Sequence, residues 1–250
     1  MVPIYKKNRL DQLLVTRGLA RSRAQARDLV TRGLVTVDGV IAAKPAAMVG
    51  EASRLSVDPR AAARVSRGGD KLEAALDAFG FDPAGQRMLD LGSSTGGFTQ
   101  VLLDRGAAHV AAVDVGRGQL APGLAGDPRV TSLERTDARG LTTAMVAGPI
   151  LGITADLSFI SLIKALPAAL EIAAPGAWLV ALVKPQFEAG REAIGKGGIV
   201  RDEAARDRAL ASVRDWVSSR PGWSVAGLVP SPIEGGGGNR EYLLGARRDG

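Results

Sequence analysis

From residue 87 onward the chain repeats one phrase: a short aliphatic run, a turn, then a stretch with helical spacing. The runs occupy 87–91, 109–114, 129–133, 150–156, 178–184, 224–230 and 241–245. Runs that are apolar throughout suit strands covered on both faces, and helical crossovers between them return the chain so that the strands lie parallel. The expectation is an α/β fold: an open, seven-stranded, mostly parallel Rossmann-like sheet with helices on both faces. Hydrophobic residues make up 46% of the chain but aromatics only 4%, so its core must be built from aliphatic side chains. Sheets of this kind bind ligands beyond the carboxyl ends of their strands. Side chains at the ends of the runs are therefore the candidates for chemistry.

The first run leads into Asp90-Leu91-Gly92-Ser93-Ser94-Thr95-Gly96-Gly97-Phe98, a strand, a small-residue loop and a helix start. Glycine lets the backbone approach a ligand closely, and helix N-terminal amides then face it. The spacing is Asp-x-Gly-x-x-x-Gly. A dinucleotide fingerprint places a glycine at its middle position to admit a pyrophosphate; Ser94 stands there instead. The loop suits S-adenosylmethionine, which has no diphosphate. Asp114, closing the second run, is placed to accept from ribose hydroxyls, and Asp137, after the third, to meet an adenine amine. The cofactor-binding candidates are thus Asp90, Gly92, Ser93, Ser94, Thr95, Gly96, Gly97, Phe98, Asp114, Asp137 and Asp156.

Residues 1–32 hold eight basic and two acidic side chains, which accounts for the whole formal charge of +6. That asymmetry marks a polyanion-binding end, with Lys6, Lys7, Arg9, Arg21, Arg23, Arg27 and Arg32 as candidates. Leu10, Leu13 and Leu14 share a helix face ended by Gly18. Ser22 is a plausible N-cap for a second helix ended by Gly33, and Asp38-Gly39 is the turn of a hairpin. Residues 1–58 form a small α+β domain, 59–66 a linker, and 67–250 the large domain, which opens with a helix over 70–79.

Four charged residues far apart in sequence fall at delivery points to one pocket. Lys71 follows Arg67-Gly68-Gly69-Asp70, Asp156 ends the fourth run, Lys184 ends the fifth, and Glu241 follows the glycines 235–238. A ribose hydroxyl is a poor nucleophile and must lose its proton as a methyl group arrives. A lysine amine can take it where a second cation and partial burial favour the neutral form. Lys184 is the expected base, Lys71 the neighbouring cation, Asp156 the group that orients the amine, and Glu241 the partner of Lys71. Absences narrow the choice. The chain has no cysteine, which removes disulfides, thiolate metal sites and the nucleophile usual for methylation at pyrimidine C5. Methylation of exocyclic amines usually employs an Asn/Asp-Pro-Pro-aromatic loop, whereas the corresponding place reads Ala155-Asp-Leu-Ser-Phe159. No metal constellation is apparent.

These strings, with Ser66-Arg-Gly-Gly-Asp-Lys-Leu72, Val183-Lys-Pro-Gln-Phe-Glu-Ala-Gly190 and Asn239-Arg-Glu-Tyr242, resemble the FtsJ-type ribose 2′-O-methyltransferases, and within them the TlyA, or haemolysin A, family. The N-terminal unit resembles the small RNA-binding fold of ribosomal protein S-four. The resemblance covers nearly the whole chain. It implies a class I methyltransferase sheet, S-adenosylmethionine as donor, cytidine 2′-hydroxyls of ribosomal RNA as acceptors, ribosomal subunits as partners, and Lys71, Asp156, Lys184 and Glu241 as catalytic residues. A cytoplasmic location is a separate expectation, from a sequence that shows no secretory signal and no membrane-spanning run. Two positions depart from the family pattern: Arg64 stands where some relatives carry an aromatic residue, and glycines fill 235–238 where Pro or Lys is common.

Some readings stay open. Phe159 is either a core residue or a stacking face for a nucleobase. Residues 188–202 are either a lip over the substrate or a plain surface loop. His109, the single histidine, is expected to be structural. Two other functions remain alternatives: a non-catalytic RNA-binding or ribosome-assembly factor, and a membrane-lytic protein, although no apolar run is long enough to span a bilayer.

Overall fold

The computed structural model describes residues 7–20, 22–58, 64–195, 197–235 and 238–250, with Arg191 described in its backbone only. The chain divides into two compact units, residues 1–66 and 67–250.

The first unit contains β1 (Lys7–Arg9), α1 (Leu10–Thr16), α2 (Arg23–Thr31), β2 (Val35–Val37), β3 (Val40–Ile41), β4 (Met48–Gly50) and β5 (Leu55–Val57). The helix-end signals act as expected. Gly18 and Gly33 adopt φ +70° and +71°, and the Ser22 side chain accepts from the Gln25 N–H at the start of α2. Asp38 and Gly39 both have positive φ (52° and 86°), which a two-residue type I′ turn requires. Leu10, Leu14, Ala26, Leu29, Val30 and Val35 close a small core. Two ladders were not foreseen: β1 pairs antiparallel with β4, and β5 pairs antiparallel with β2. Three-residue strands carry too few alternations to announce themselves. Lys6 and Arg21 fall outside the described residues.

The second unit runs α3 (Gly68–Phe79), β6 (Arg87–Leu91), α4 (Gly97–Asp104), β7 (His109–Asp114), α5 (Pro122–Ala125), β8 (Val130–Glu134), β9 (Ile150–Ala155), α6 (Leu162–Ala165), α7 (Pro167–Ile172), β10 (Ala173–Val183), α8 (Pro185–Glu188), α9 (Glu203–Ser218), β11 (Trp223–Pro230) and β12 (Tyr242–Arg248). The strands form one seven-stranded sheet in the order β11-β12-β10-β9-β6-β7-β8. β8, β7, β6, β9 and β10 are parallel, and β12 inserts antiparallel between β10 and β11. Strand order reverses between β6 and β9, the switch point at which such sheets open a ligand crevice.

Alternation along each strand builds two cores. Leu89, Leu91, Leu179, Ala181, Val183 and Leu244 point to the side of α7 and α9. Met88, Val180, Leu182 and Leu243 point to the side of α3 and α4, against Leu72, Leu76, Val101 and Leu102. Helix α3 is located by its last residue. The ring of Phe79 lies over the paired residues Gly227 and Gly245; a Cβ on Gly245 would meet it at 2.5 Å. Gly80 ends the helix at φ +62°. Lys71, two turns upstream of Phe79, is thereby brought over the end of the sheet where β10 stops and β12 begins.

Candidate active site

The switch point carries a cavity of about 330 Å³, within the range of small-molecule pockets. Gly92, Ser94, Val113, Asp114, Val115, Gln119, Thr136, Ala138 and Asp156 to Phe159 line it. Its geometry begins with Gly92, at φ +77°, where an added Cβ would lie 2.6 Å from the backbone oxygen of Asp156. The ends of β6 and β9 can approach this closely only with glycine there. The chain then turns through Ser94, which also has positive φ (46°). The Ser94 N–H donates to Asp114 Oδ2 at 2.9 Å, and the Gly116 N–H donates to Oδ1 at 2.7 Å. Asp114 thus pins the glycine loop to the end of β7 while its side chain faces the cavity. The donors and acceptors of this wall, with Val113, Val115 and Leu157 beside them, suit a nucleoside-bearing cofactor.

Asp90 lies beneath the loop, with no solvent exposure. Its Oδ2 accepts from Thr99 Oγ1 at 2.6 Å and its Oδ1 from Thr154 Oγ1 at 2.9 Å. Thr99 is in the first turn of α4, and Thr154 is the β9 register partner of Asp90. Burial raises the carboxyl to about 6 against the pull of both hydroxyls. Asp90 acts on the cavity by fixing the loop and helix that border it. Phe98, on the apolar face of α4, is buried in the core with Leu72 and Val101. Gly96 starts α4 at φ +97°, packed against Leu120 and Leu124. The buried Ser93 donates its N–H to Val113 O at 3.1 Å, and Thr95 holds Ala121 through its carbonyl. Asp137 lies between the lining residues Thr136 and Ala138, but its carboxylate is taken by Arg139 at 2.6 Å and held to about 2 by that guanidinium.

The four charged candidates form two ion pairs. Lys71 Nζ lies 2.5 Å from Glu241 Oε2, with side-chain exposures of 8% and 3%. Lys184 Nζ lies 2.6 Å from Asp156 Oδ1 and donates to Ser158 Oγ at 2.9 Å. The contact with Asp156 is an ion pair off the hydrogen-bonding direction, since Oδ1 accepts no hydrogen bond. Register explains the grouping. Val183 pairs with Tyr242 and Ala181 with Ala155, so Lys184, Glu241 and Asp156 emerge together, one residue beyond the paired ends of β10, β12 and β9. Asp156 and Ser158 also line the cavity, and Lys184 meets the cavity wall through them.

Two residues of the site, Glu188 and Gly235, are given no individual role by the sequence. Glu188, at the end of α8, accepts from Ser161 Oγ at 2.6 Å and from the Leu162 N–H at 2.8 Å, with its carboxyl raised by burial. It ties the loop after β9 to the loop after β10, and so holds Asp156 and Lys184 in one frame. Gly235 is seated on Glu241: a Cβ there would fall 2.0 Å from Oε1. Of the open readings, Phe159 is 91% exposed at the cavity rim, which excludes a core role; its ring is 5.3 Å from that of Phe187. His109 opens β7, with Nε2 3.0 Å from Thr131 Oγ1 on β8. Among the described residues no group of side chains is placed to hold a metal ion, and no helix is long and apolar enough to cross a membrane.

An open sheet with this strand order, a glycine loop at its switch point and a strand-end acid beside it define a Rossmann-like methyltransferase fold. Residues 64–248 match the FtsJ-like methyltransferase model, and residues 8–55 match the S4 domain model. The chain belongs to the FtsJ-like methyltransferase family. It is 51% identical over 243 residues to the 16S/23S rRNA (cytidine-2'-O)-methyltransferase TlyA of Mycobacterium tuberculosis, covering 97% of this chain and 90% of that protein. It is 38% identical to Hemolysin A of Brachyspira hyodysenteriae, covering 94% and 98%. A solved structure described as "Putative hemolysin from Streptococcus thermophilus" superposes with a TM-score of 0.74 at 41% identity, covering 98% of this chain and 90% of that one.

Proposed function

We propose that this protein methylates the 2′-hydroxyl of cytidine in ribosomal RNA, with S-adenosylmethionine as donor, and works in the cytoplasm on ribosomal subunits. The observation that carries the reading is the placement of two Lys–carboxylate pairs at one end of the sheet, one buried and one with its carboxylate partly exposed, beside a cavity with a nucleoside-type wall. The similarity to TlyA over 97% of the chain supports the substrate class.

The residues fit the cofactor: Gly92 lets the ends of β6 and β9 close together at the cavity wall, where any Cβ would meet the Asp156 backbone, and Asp114 presents a carboxylate at the end of β7. When bound, S-adenosylmethionine supplies an electrophilic methyl group on a sulfonium. Lys184 Nζ is the proposed acceptor of the ribose proton. Asp156 and Ser158 hold that amine at the cavity edge, and Lys71, fixed by Glu241, adds positive charge where the alkoxide develops. The ion-paired ammonium of Lys184 must first give a proton to solvent. Its neutral amine then takes the hydroxyl proton as the oxygen–methyl bond forms and the sulfur–methyl bond breaks, with the thioether leaving. Most of the acceleration comes from in-line positioning. The exposed Phe159 offers a face for the target nucleobase, and the arginines of the first unit supply salt-sensitive affinity for phosphates.

The test is incubation with labelled S-adenosylmethionine and unmodified ribosomal subunits, followed by mapping of label to alkali-resistant dinucleotides. Label there, with Lys184→Ala lowering turnover by about 10²–10⁴-fold at unchanged cofactor affinity, is the expected result. Cofactor binding without label on either subunit rejects this substrate class and favours an RNA-binding factor.

A further inference from the structure

Asp11, the second residue of α1, has no solvent exposure, yet it lies in the most basic part of the chain. Three guanidinium groups meet its carboxylate. Arg9 lies bidentate on it, Nε to Oδ1 and Nη2 to Oδ2, both at 3.0 Å. Arg23 Nη2 reaches Oδ2 at 3.3 Å and Arg27 Nε reaches the same oxygen at 3.1 Å. Arg23 and Arg27 are i, i+4 neighbours on α2, so they leave the helix on one face. Arg9 is held opposite them by the entry to α1, where the Leu10 and Asp11 N–H groups donate to Ala47 O and Pro45 O, both at 2.9 Å. The carboxyl is held well below the usual range, first by Arg9 and then by Arg27 and Arg23.

The three arginine side chains remain 37%, 48% and 55% exposed. Each guanidinium has five N–H donors, and Asp11 engages only one or two on each. Unrestrained arginines so close together would repel one another and spread over many rotamers, and ordering them on binding would cost affinity. The buried carboxylate removes part of that cost beforehand and leaves the cluster with a net charge of +2.

We propose that Asp11 is a positioning residue that gathers Arg9, Arg23 and Arg27 into one binding site for backbone phosphates of structured RNA. The inference rests on the RNA-substrate reading above and names the part of the first unit that makes the contact.

Asp11→Asn in the full-length protein separates positioning from charge, because the two predict opposite signs. The substitution adds one positive charge, so charge alone predicts tighter binding to unmodified ribosomal RNA. Positioning predicts binding about tenfold weaker, and a slope of log affinity against log salt reduced by the equivalent of one to three phosphate contacts. KM for RNA should rise while kcat at saturating RNA and cofactor affinity hold. Equal or tighter binding by a folded Asp11→Asn overturns the proposal. Should that variant unfold, Arg9→Lys keeps the charge but loses the two-pronged grip; weaker binding with a smaller slope is then expected, and unchanged binding overturns the proposal. The same salt series on a generic RNA duplex reads the site even if ribosomal RNA is not the substrate, and failed methylation of ribosomal RNA by the unaltered protein would count against the functional reading alone.

Discussion

Lys71 and Glu241, 170 residues apart, meet with Nζ 2.5 Å from Oε2 in an environment almost free of solvent. One comes from the first turn of α3 and the other from the residue before β12, so their contact ties the helix that opens the large unit to the strand that closes it. Buried pairs of this kind return little net stability, but losing one partner strands the other charge. Glu241→Ala is therefore expected to cost about 3–5 kcal/mol in chemical denaturation and to abolish methyl transfer. The double variant Lys71→Met/Glu241→Leu should recover most of the stability and none of the activity. Equal stability of the single and double variants would show that the pair carries no such strain.

Asp90 gives a pH dependence with a definite sign. Its carboxyl is raised from an ordinary 3.8 to about 6 by burial, so the folded state holds the proton more tightly than the unfolded state. The unfolded chain releases it first as pH rises, and the folded protein loses stability between about pH 4 and pH 6, then levels off. Asp90→Asn keeps the shape, and its amide can still meet hydroxyls that rotate to accept. It removes the titration. Relative to the parent, this variant should gain on the order of 3 kcal/mol between pH 4 and pH 7. Urea denaturation of both proteins across that range measures the difference; parallel curves would mean that Asp90 does not titrate there.

Asp90 also shows where sequence stops informing. Asp90, Asp114 and Asp156 look alike in the chain, each an acid at or near the end of an aliphatic run. Only the fold separates them: Asp90 points down to Thr99 and Thr154, Asp114 faces the cavity while holding the glycine loop, and Asp156 lines the cavity while pairing with Lys184. The Lys184–Asp156 partnership was legible because both residues stand at the carboxyl ends of runs that a parallel sheet brings to one edge. Glu241 begins its run and reaches that edge only because β12 is antiparallel, and Lys71 comes from α3, so their meeting depends on tertiary structure. The insertion of β12 between β10 and β11 was not legible, since strand order depends on contacts between distant segments. Glu188 was missed for a similar reason: its partners, Ser161 and Leu162, lie 26 or 27 residues away in another loop.

Gly92 is a position where one methyl group should be decisive. Its φ of +77° disfavours any side chain, and a Cβ would stand 2.6 Å from Asp156 O and 3.0 Å from Asp156 C. Those atoms belong to backbone at the end of β9 and cannot swing aside. Gly92→Ala should destabilise the protein by about 1–3 kcal/mol and weaken cofactor binding at least tenfold by pushing the β6 and β9 ends apart. Calorimetric titration with S-adenosylmethionine, beside thermal unfolding, separates the two effects. Unchanged affinity would place the cofactor away from this crevice.

Phe159 combines two unfavourable features that a purely structural residue would not keep. It has φ +66°, in the left-handed region, and its side chain is 91% exposed. Left-handed backbone at a non-glycine residue costs on the order of 1 kcal/mol or more, and an exposed ring returns little burial energy. The ring is nevertheless held at the cavity rim, 5.3 Å from Phe187, in a loop anchored by Glu188. Phe159→Gly should leave stability equal or higher by about 1 kcal/mol and raise KM for RNA about tenfold, as expected for the loss of one stacked base worth about 1–3 kcal/mol. Phe159→Trp should keep KM near the parent value. Denaturation and steady-state methylation on the same three proteins test this. A glycine variant that loses stability but keeps its KM would show that the ring supports the loop and does not touch the nucleobase.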